Sequence, residues 1–346
     1  PRSRRPTGPM AERPRIAVVF TGGTISMLPD PVTGAAVPAL DGAGILARVP
    51  QLAAMAELEP IDWGLVPASH LRFSQILDVG RVIGAAAARD DIDGVVVVQG
   101  TDVLEETAYA WDLLHTADTP VVVVGAMRNA GDDDYDGPAN LVDAVRVAAH
   151  PGSRGLGVVV VMAGRILPAD DATKTDSQAL DTFQALNHGS LGSVRDGEVW
   201  LERGRPERRT LPTIPSDAAE PVALLTAVVS TDGNLVRAAT SQGCQAIVVE
   251  ATGSGNTDPD LLAAAIEAME AGVVVALTTR CAAGAVGPLY GFPGGGRSWQ
   301  EAGAIMAGSR SGPKTRVALA LGLGAGLDRP ALRSLLGQGT GDVAAR

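Results

Sequence analysis

VVVVQGTDVLEETA, residues 95–108, decides the fold class. Val95–Val98 is an unbroken β-branched run, the pattern of a strand buried on both faces of a parallel sheet. Gly100, Thr101 and Asp102 then interrupt the strand. Leu104–Leu114 reads as a helix, with Glu105 and Glu106 in the first turn, where a helix favours negative charge. Strand, loop, helix is half of a βαβ unit, and the order recurs. Further strands are read at Ile16–Phe20, Val121–Val124, Val158–Met162, Ala223–Val229, Ala246–Val249 and Val273–Thr278. Helical patterns lie between them, at Gly44–Arg48, Leu77–Arg89, Asn140–Ala149, Val236–Gln242, Pro259–Ala271 and Arg329–Gly337. Alternation of this kind predicts an α/β protein with right-handed crossovers.

At 346 residues the chain exceeds a comfortable single core, so two domains are expected. We expect a tag-like or disordered stretch over 1–14, with Met10 a plausible start. A larger N-terminal parallel-sheet domain over 15–202, a linker over 203–221 and a smaller C-terminal parallel-sheet domain over 222–346 follow. The linker contains the basic run RPERR (205–209), read as solvated, and a DGEV turn before it suggests a small hairpin arm. Hydrophobic residues make up 46% and aromatics 3%, so Val, Leu and Ala must fill the core. A net charge of −11 without a basic, aromatic-laced stripe disfavours nucleic acid. No apolar run approaches a membrane span and no export signal is visible, so a cytoplasmic protein is expected. Two cysteines without CxxC spacing and four scattered histidines suggest neither redox nor metal chemistry.

Two threonine motifs lie just past predicted strands: TGGTIS (21–26) after Ile16–Phe20, and GTD (100–102) after Val95–Val98. Ligands of open α/β sheets bind beyond the carboxyl ends of the strands. A threonine hydroxyl becomes a nucleophile when a base takes its proton and the developing oxyanion is held. Gly22 and Gly23 would turn the backbone and expose amide N–H groups beside Thr24, or merely support a helix start. Asp102 is either a catalytic carboxylate or a helix cap. Lys174, in ATKTDS, is either a solvated cation or a base pinned against a carboxylate and a threonine. The loop Met27–Leu40 would suit a lid or an ordinary surface turn. The residues alone leave these alternatives open. A dinucleotide site is disfavoured, because TGGTISM lacks GxGxxG spacing.

An ordered series of segments narrows the choice: TGGTIS, GTDVLEETA, VVVVGAMRNA, DGPANLVDAV, DDATKTDSQALDTF, LNHGSLG, VVEATGSGN, TTR and GPLYG. Together they resemble the bacterial-type asparaginase/glutaminase family of threonine amidohydrolases, from about Arg15 to about Leu335. The resemblance implies two α/β domains and hydrolysis of the side-chain amide of L-asparagine, with L-glutamine a further substrate, without cofactor or metal. It implies a homodimer or homotetramer with sites at the intimate dimer interface. By the same resemblance Thr24 is the nucleophile, and Thr101, Asp102 and Lys174 form the accompanying catalytic group. Gly23, Ser69, His70, Gly100, Thr101, Asp102, Ala126 and Asn256 are the expected substrate-binding positions. Backbone amides at the glycine turns or Ala126 would hold the oxyanion.

The chain also departs from the family. His70 stands where glutamine is usual, and Asp170 where arginine often precedes the lysine motif. Met27–Leu40 lacks the family's lid tyrosine, and Arg280–Tyr290 lacks the partner subunit's glutamate. Three readings follow: activation of Thr24 through water by the Thr101–Asp102–Lys174 group, a replacement tyrosine with Tyr290 first in line, or a homologue that is slow, specialised or active on another amide. A catalytically weak binding or sensing protein on the same fold is a separate alternative. Tyr135 is read as structural.

Overall fold

The computed structural model describes residues 13–205 and 208–337; nearly all of the expected tag-like stretch, Met10 included, lies outside the described residues. Eight strands form the larger sheet, in the order Glu198–Leu201, Gly192–Arg195, Arg165–Pro168, Val158–Met162, Val121–Val124, Gly94–Val98, Arg15–Phe20, Glu57–Asp62. The last five in this order are parallel. The first three join antiparallel, so one edge of the expected parallel sheet is mixed. The valine runs at the centre are fully buried, as a sheet covered by helices on both faces requires.

Strand Glu57–Asp62 (ELEPID) escapes the hydrophobic pattern for a physical reason. It is an edge strand, where charge and proline are tolerated because one side of its backbone needs no partner. Arg15 and Arg89 both donate to the Glu59 carboxylate, at 2.8 and 3.0 Å. The DGEV turn does form a hairpin, with Asp196 and Gly197 both at positive φ. It is no separate arm, for Gly192–Arg195 pairs into the main sheet.

The smaller sheet is parallel throughout, in the order Val222–Thr226, Ala246–Ala251, Val274–Thr279, Ile305–Met306. The first of these strands ends at Thr226, and Val228 and Val229 are exposed. Helix Gly312–Gly324 fills the space between the sheets, packing on helix Leu104–Leu114 and on the strands of the smaller sheet. It is buried nearly all round. That burial explains why no amphipathic stripe announced it. Alternate residues of strand Ala246–Ala251 face the two sides: Ala246 and Val248 join the main core, Ile247 and Val249 a second cluster.

The expectation of a solvated basic run at 205–209 is corrected at Arg205 and Arg208, while Arg209 is exposed. The Arg205 side chain is 4% exposed and donates to both carboxylate oxygens of buried Asp112, at 2.8 and 2.6 Å. It also reaches Asp170 at 2.9 Å, and Arg208 reaches Asp112 at 3.0 Å. Burial pushes the Asp170 carboxyl up, but Arg205 and Arg310 outweigh it and hold the group below the usual carboxylate range. Asp170 is therefore held as the partner of Arg205.

Candidate active site

Arg15–Phe20 lies between Glu57–Asp62 and Gly94–Val98, so chain order reverses on either side of it. Such a reversal opens a crevice beyond the carboxyl ends of the two strands that flank it. TGGTIS leaves one of these strands and QGTD the other. Their closeness is built on glycine. Gly22 and Gly23 adopt φ of 103° and 97°, which side chains disfavour. A Cβ on Gly23 would stand 2.1 Å from the Gly100 nitrogen, and one on Gly100 would meet Ala68 Cβ at 2.9 Å. Backbone thus touches backbone at Gly23 and Gly100, with the Ala68–His70 turn against them.

Hydrogen bonds fix the same junction. Thr21 N–H donates to Val98 O at 3.0 Å, and Val66 N–H to Thr21 O at 2.9 Å. Thr24–Ser26 forms a single 3₁₀ turn in which Ser26 Oγ donates to Gly23 O at 2.7 Å. Thr24 is placed by this backbone. Ser69 and His70 are exposed on their own turn, where His70 N–H donates to Pro67 O. Ala126 is fully buried just past strand Val121–Val124.

Lys174 closes the group from the other side. It sits on the three-residue strand Ala172–Lys174, paired antiparallel with Phe183–Ala185. Its ammonium donates to Thr101 Oγ1 at 2.9 Å and to Asp102 Oδ1 at 3.1 Å. Thr101 is buried. The Asp102 side chain, by contrast, is 68% exposed and open to an incoming ammonium group. The arrangement offers a hydroxyl in contact with a lysine, a free carboxylate face, and glycine-turn amides nearby. Among the described residues no group of three or more His, Cys, Asp or Glu could hold a metal ion. Cys244 and Cys281 are both free thiols.

The loop after Thr24 is a short ribbon, Met27–Pro29 paired with Ala36–Pro38. Its tip is tied by Asp30, whose carboxylate accepts from the Val32 and Thr33 amides and is held below its ordinary value chiefly by the latter bond. Tyr135, half-buried in the GDDDYDGP loop, donates its hydroxyl to Ile25 O at 2.8 Å. Tyr290 instead lies in the smaller domain with its ring against Phe292 at 5.7 Å. Within one chain, then, Tyr135 rather than Tyr290 reaches the loop that begins at Thr24. Asn256 hydrogen-bonds Thr252 through its backbone, and its Oδ1 has no partner among the described residues. No described hydrogen bond ties it to the Thr101 group.

The comparisons decide the family. The Asparaginase, N-terminal family model matches residues 15–207, and the Glutaminase/Asparaginase C-terminal domain model matches 221–336. The chain belongs to the asparaginase family. A probable L-asparaginase of Deinococcus radiodurans is 34% identical over 95% of this chain and 99% of its own. An L-asparaginase of Bacillus licheniformis is 30% identical over 89% of this chain and 94% of its own. The crystal structure of a probable cytoplasmic L-asparaginase from Campylobacter jejuni superposes with a TM-score of 0.85 at 28% identity, covering 94% of this chain and 99% of that one. Among the described residues no helix is long and apolar enough to cross a membrane.

Sequence reasoning overlooked two groups that touch the lysine strand. Glu105 Oε2 accepts the Lys174 amide at 2.9 Å, although the sequence presents it only as a first-turn acid. Lys314 is buried and donates to Ala172 O. Pro313, at the start of its helix, was the available signal for that element.

Proposed function

We propose that this chain hydrolyses the side-chain amide of L-asparagine to L-aspartate and ammonia, with L-glutamine as a further substrate and no cofactor. The observation that carries the reading is the contact of Lys174 with both Thr101 and Asp102 at the switch-point crevice, with Gly23 of the first threonine loop against Gly100. The exposed Asp102 carboxylate pairs with the substrate's α-ammonium, and the Ser69–His70 turn receives its α-carboxylate. The Thr24 hydroxyl attacks the amide carbon. Its proton passes through water to the Thr101–Lys174 pair, the carbonyl oxygen takes the negative charge among glycine-turn amides, and the nitrogen leaves as ammonia after regaining a proton. A water then attacks the acyl ester left on Thr24, the ester bond breaks, and L-aspartate is released as the Thr24 oxygen regains its proton. Lys174 acts as a base only after giving up one of its own protons, since here its ammonium donates to Thr101.

Tyr135 tethers the Thr24 loop in place of the absent lid tyrosine. Residues 15–202 and 222–346 act as the two domains, joined by 203–221. We place the active sites at the interface of a homodimer within a cytoplasmic tetramer. The exposed Leu289, Tyr290 and Phe292 support an assembly of copies.

The direct Lys174–Thr101 hydrogen bond favours a second reading, in which Thr101 is the nucleophile. Ammonia release from L-asparagine and L-glutamine by the native chain, Thr24→Ala and Thr101→Ala separates them. The proposal expects Thr24→Ala to abolish release and Thr101→Ala to lower it by about 10²–10⁴-fold, as loss of acid–base assistance does. Robust release by Thr24→Ala together with none from Thr101→Ala reverses the choice of nucleophile.

A further inference from the structure

Lys174 stands on an insecure element. Strands Ala172–Lys174 and Phe183–Ala185 form a two-stranded ribbon only three residues long, and so short a ribbon is not stable by itself. Its outer parts are nevertheless held from two directions. The Lys174 amide donates to Glu105 Oε2 at 2.9 Å, and Glu105 lies on the helix that begins just past Thr101 and Asp102. The backbone and the ammonium of Lys174 are thereby tied to the same short segment. At the other end, the Ala172 carbonyl accepts from the Lys314 ammonium, which arrives from helix Gly312–Gly324 of the smaller domain.

Lys314 is 1% exposed. Apolar side chains of similar volume often serve stability as well as a buried charge does, so a cation retained here calls for a role. Burial lowers its ammonium from the ordinary value, opposed by the carboxylates of Glu105, Asp171 and Asp170, while Arg310 adds to the lowering. Asp171 is itself committed to the Asn187 and His188 amides, at 3.1 and 2.7 Å. Lys314 thus sits among groups that fix the same loop, with its hydrogen bond aimed at the strand that carries Lys174.

The geometry points to Lys314 and Glu105 as positioning residues for amide hydrolysis: they clamp the two ends of Ala172–Lys174 and so hold the Lys174 ammonium against Thr101 and Asp102. The assignment rests on the reaction proposed above. It makes the smaller domain a contributor to catalysis within the same chain, through one buried side chain. A displacement of about 1 Å at a reacting group can cost about 10²-fold in rate, which sets the size of the effect.

The test uses the full chain and L-asparagine, with K314M and E105A made alone and in combination with K174M. Each single variant is expected to lower kcat by about ten- to a hundredfold while KM moves by less than about threefold. Adding either change to K174M is expected to cause no further loss, because each acts through Lys174. A general weakening of the fold would not produce that non-additivity. A kcat within about twofold of the native value in either single variant overturns the clamp, as do losses that multiply with that of K174M. Should K314M fail to fold, E105A alone gives both readouts and decides the matter by the same criteria. Absence of ammonia release from the native chain overturns the amide-hydrolysis reading itself, and is thereby distinguished from failure of the clamp.

Discussion

At the residue scale, the site depends on a contact that only two glycines permit. Gly23 at φ 97° and Gly100 bring the two threonine loops into backbone contact. The Gly23→Ala variant would place a Cβ inside the Gly100 backbone as well as in an unfavourable region of φ, where strain alone costs about 1–3 kcal/mol. The expected outcome is a protein that folds with a lowered thermal midpoint and releases ammonia at least about 10²-fold more slowly. Native-like rates from Gly23→Ala would show that the junction is not needed. The glycines in TGGT are visible in sequence, and so is their freedom to turn. That the obstacle is Gly100, on a loop far away along the chain, is a property of the strand order and is invisible locally. Likewise TKT presents a lysine, whereas its distance to Thr101 belongs to the fold.

At the element scale, the buried valine strands announce themselves because a central parallel strand is apolar on both faces. The polar ELEPID edge, the short Arg165–Pro168 strand and the all-round buried helix Gly312–Gly324 lack such a pattern, and each was missed for that reason. The basic run at 205–209 misled in the opposite sense. Charge usually means solvent, yet Arg205 is inside, shared between Asp112 and Asp170. Removing one partner of a buried ionic network leaves the others uncompensated and typically costs about 3–5 kcal/mol. Urea unfolding of Arg205→Ala should therefore show stability lowered by about that amount, with the slope unchanged. A loss under about 0.5 kcal/mol, the usual range for a surface substitution, would mean that the arginine is solvated after all.

At the scale of the whole molecule, function follows from strand order. Placing Arg15–Phe20 between Glu57–Asp62 and Gly94–Val98 creates the reversal at which two loops diverge and a small zwitterion can enter. The smaller sheet adds a face against the same helix layer and sends Lys314 to the lysine strand. All of this converges on Lys174, which contacts Thr101 and Asp102 and stands on the strand that Lys314 of the smaller domain reaches. The most direct measurement is the steady-state rate of ammonia release from L-asparagine by the native chain and by Lys174→Met, with the folded state of both verified by thermal unfolding. The account predicts release by the native chain and a kcat lowered by about 10²–10⁴-fold in the variant. No release from the native chain, or equal rates in the two proteins, would contradict it.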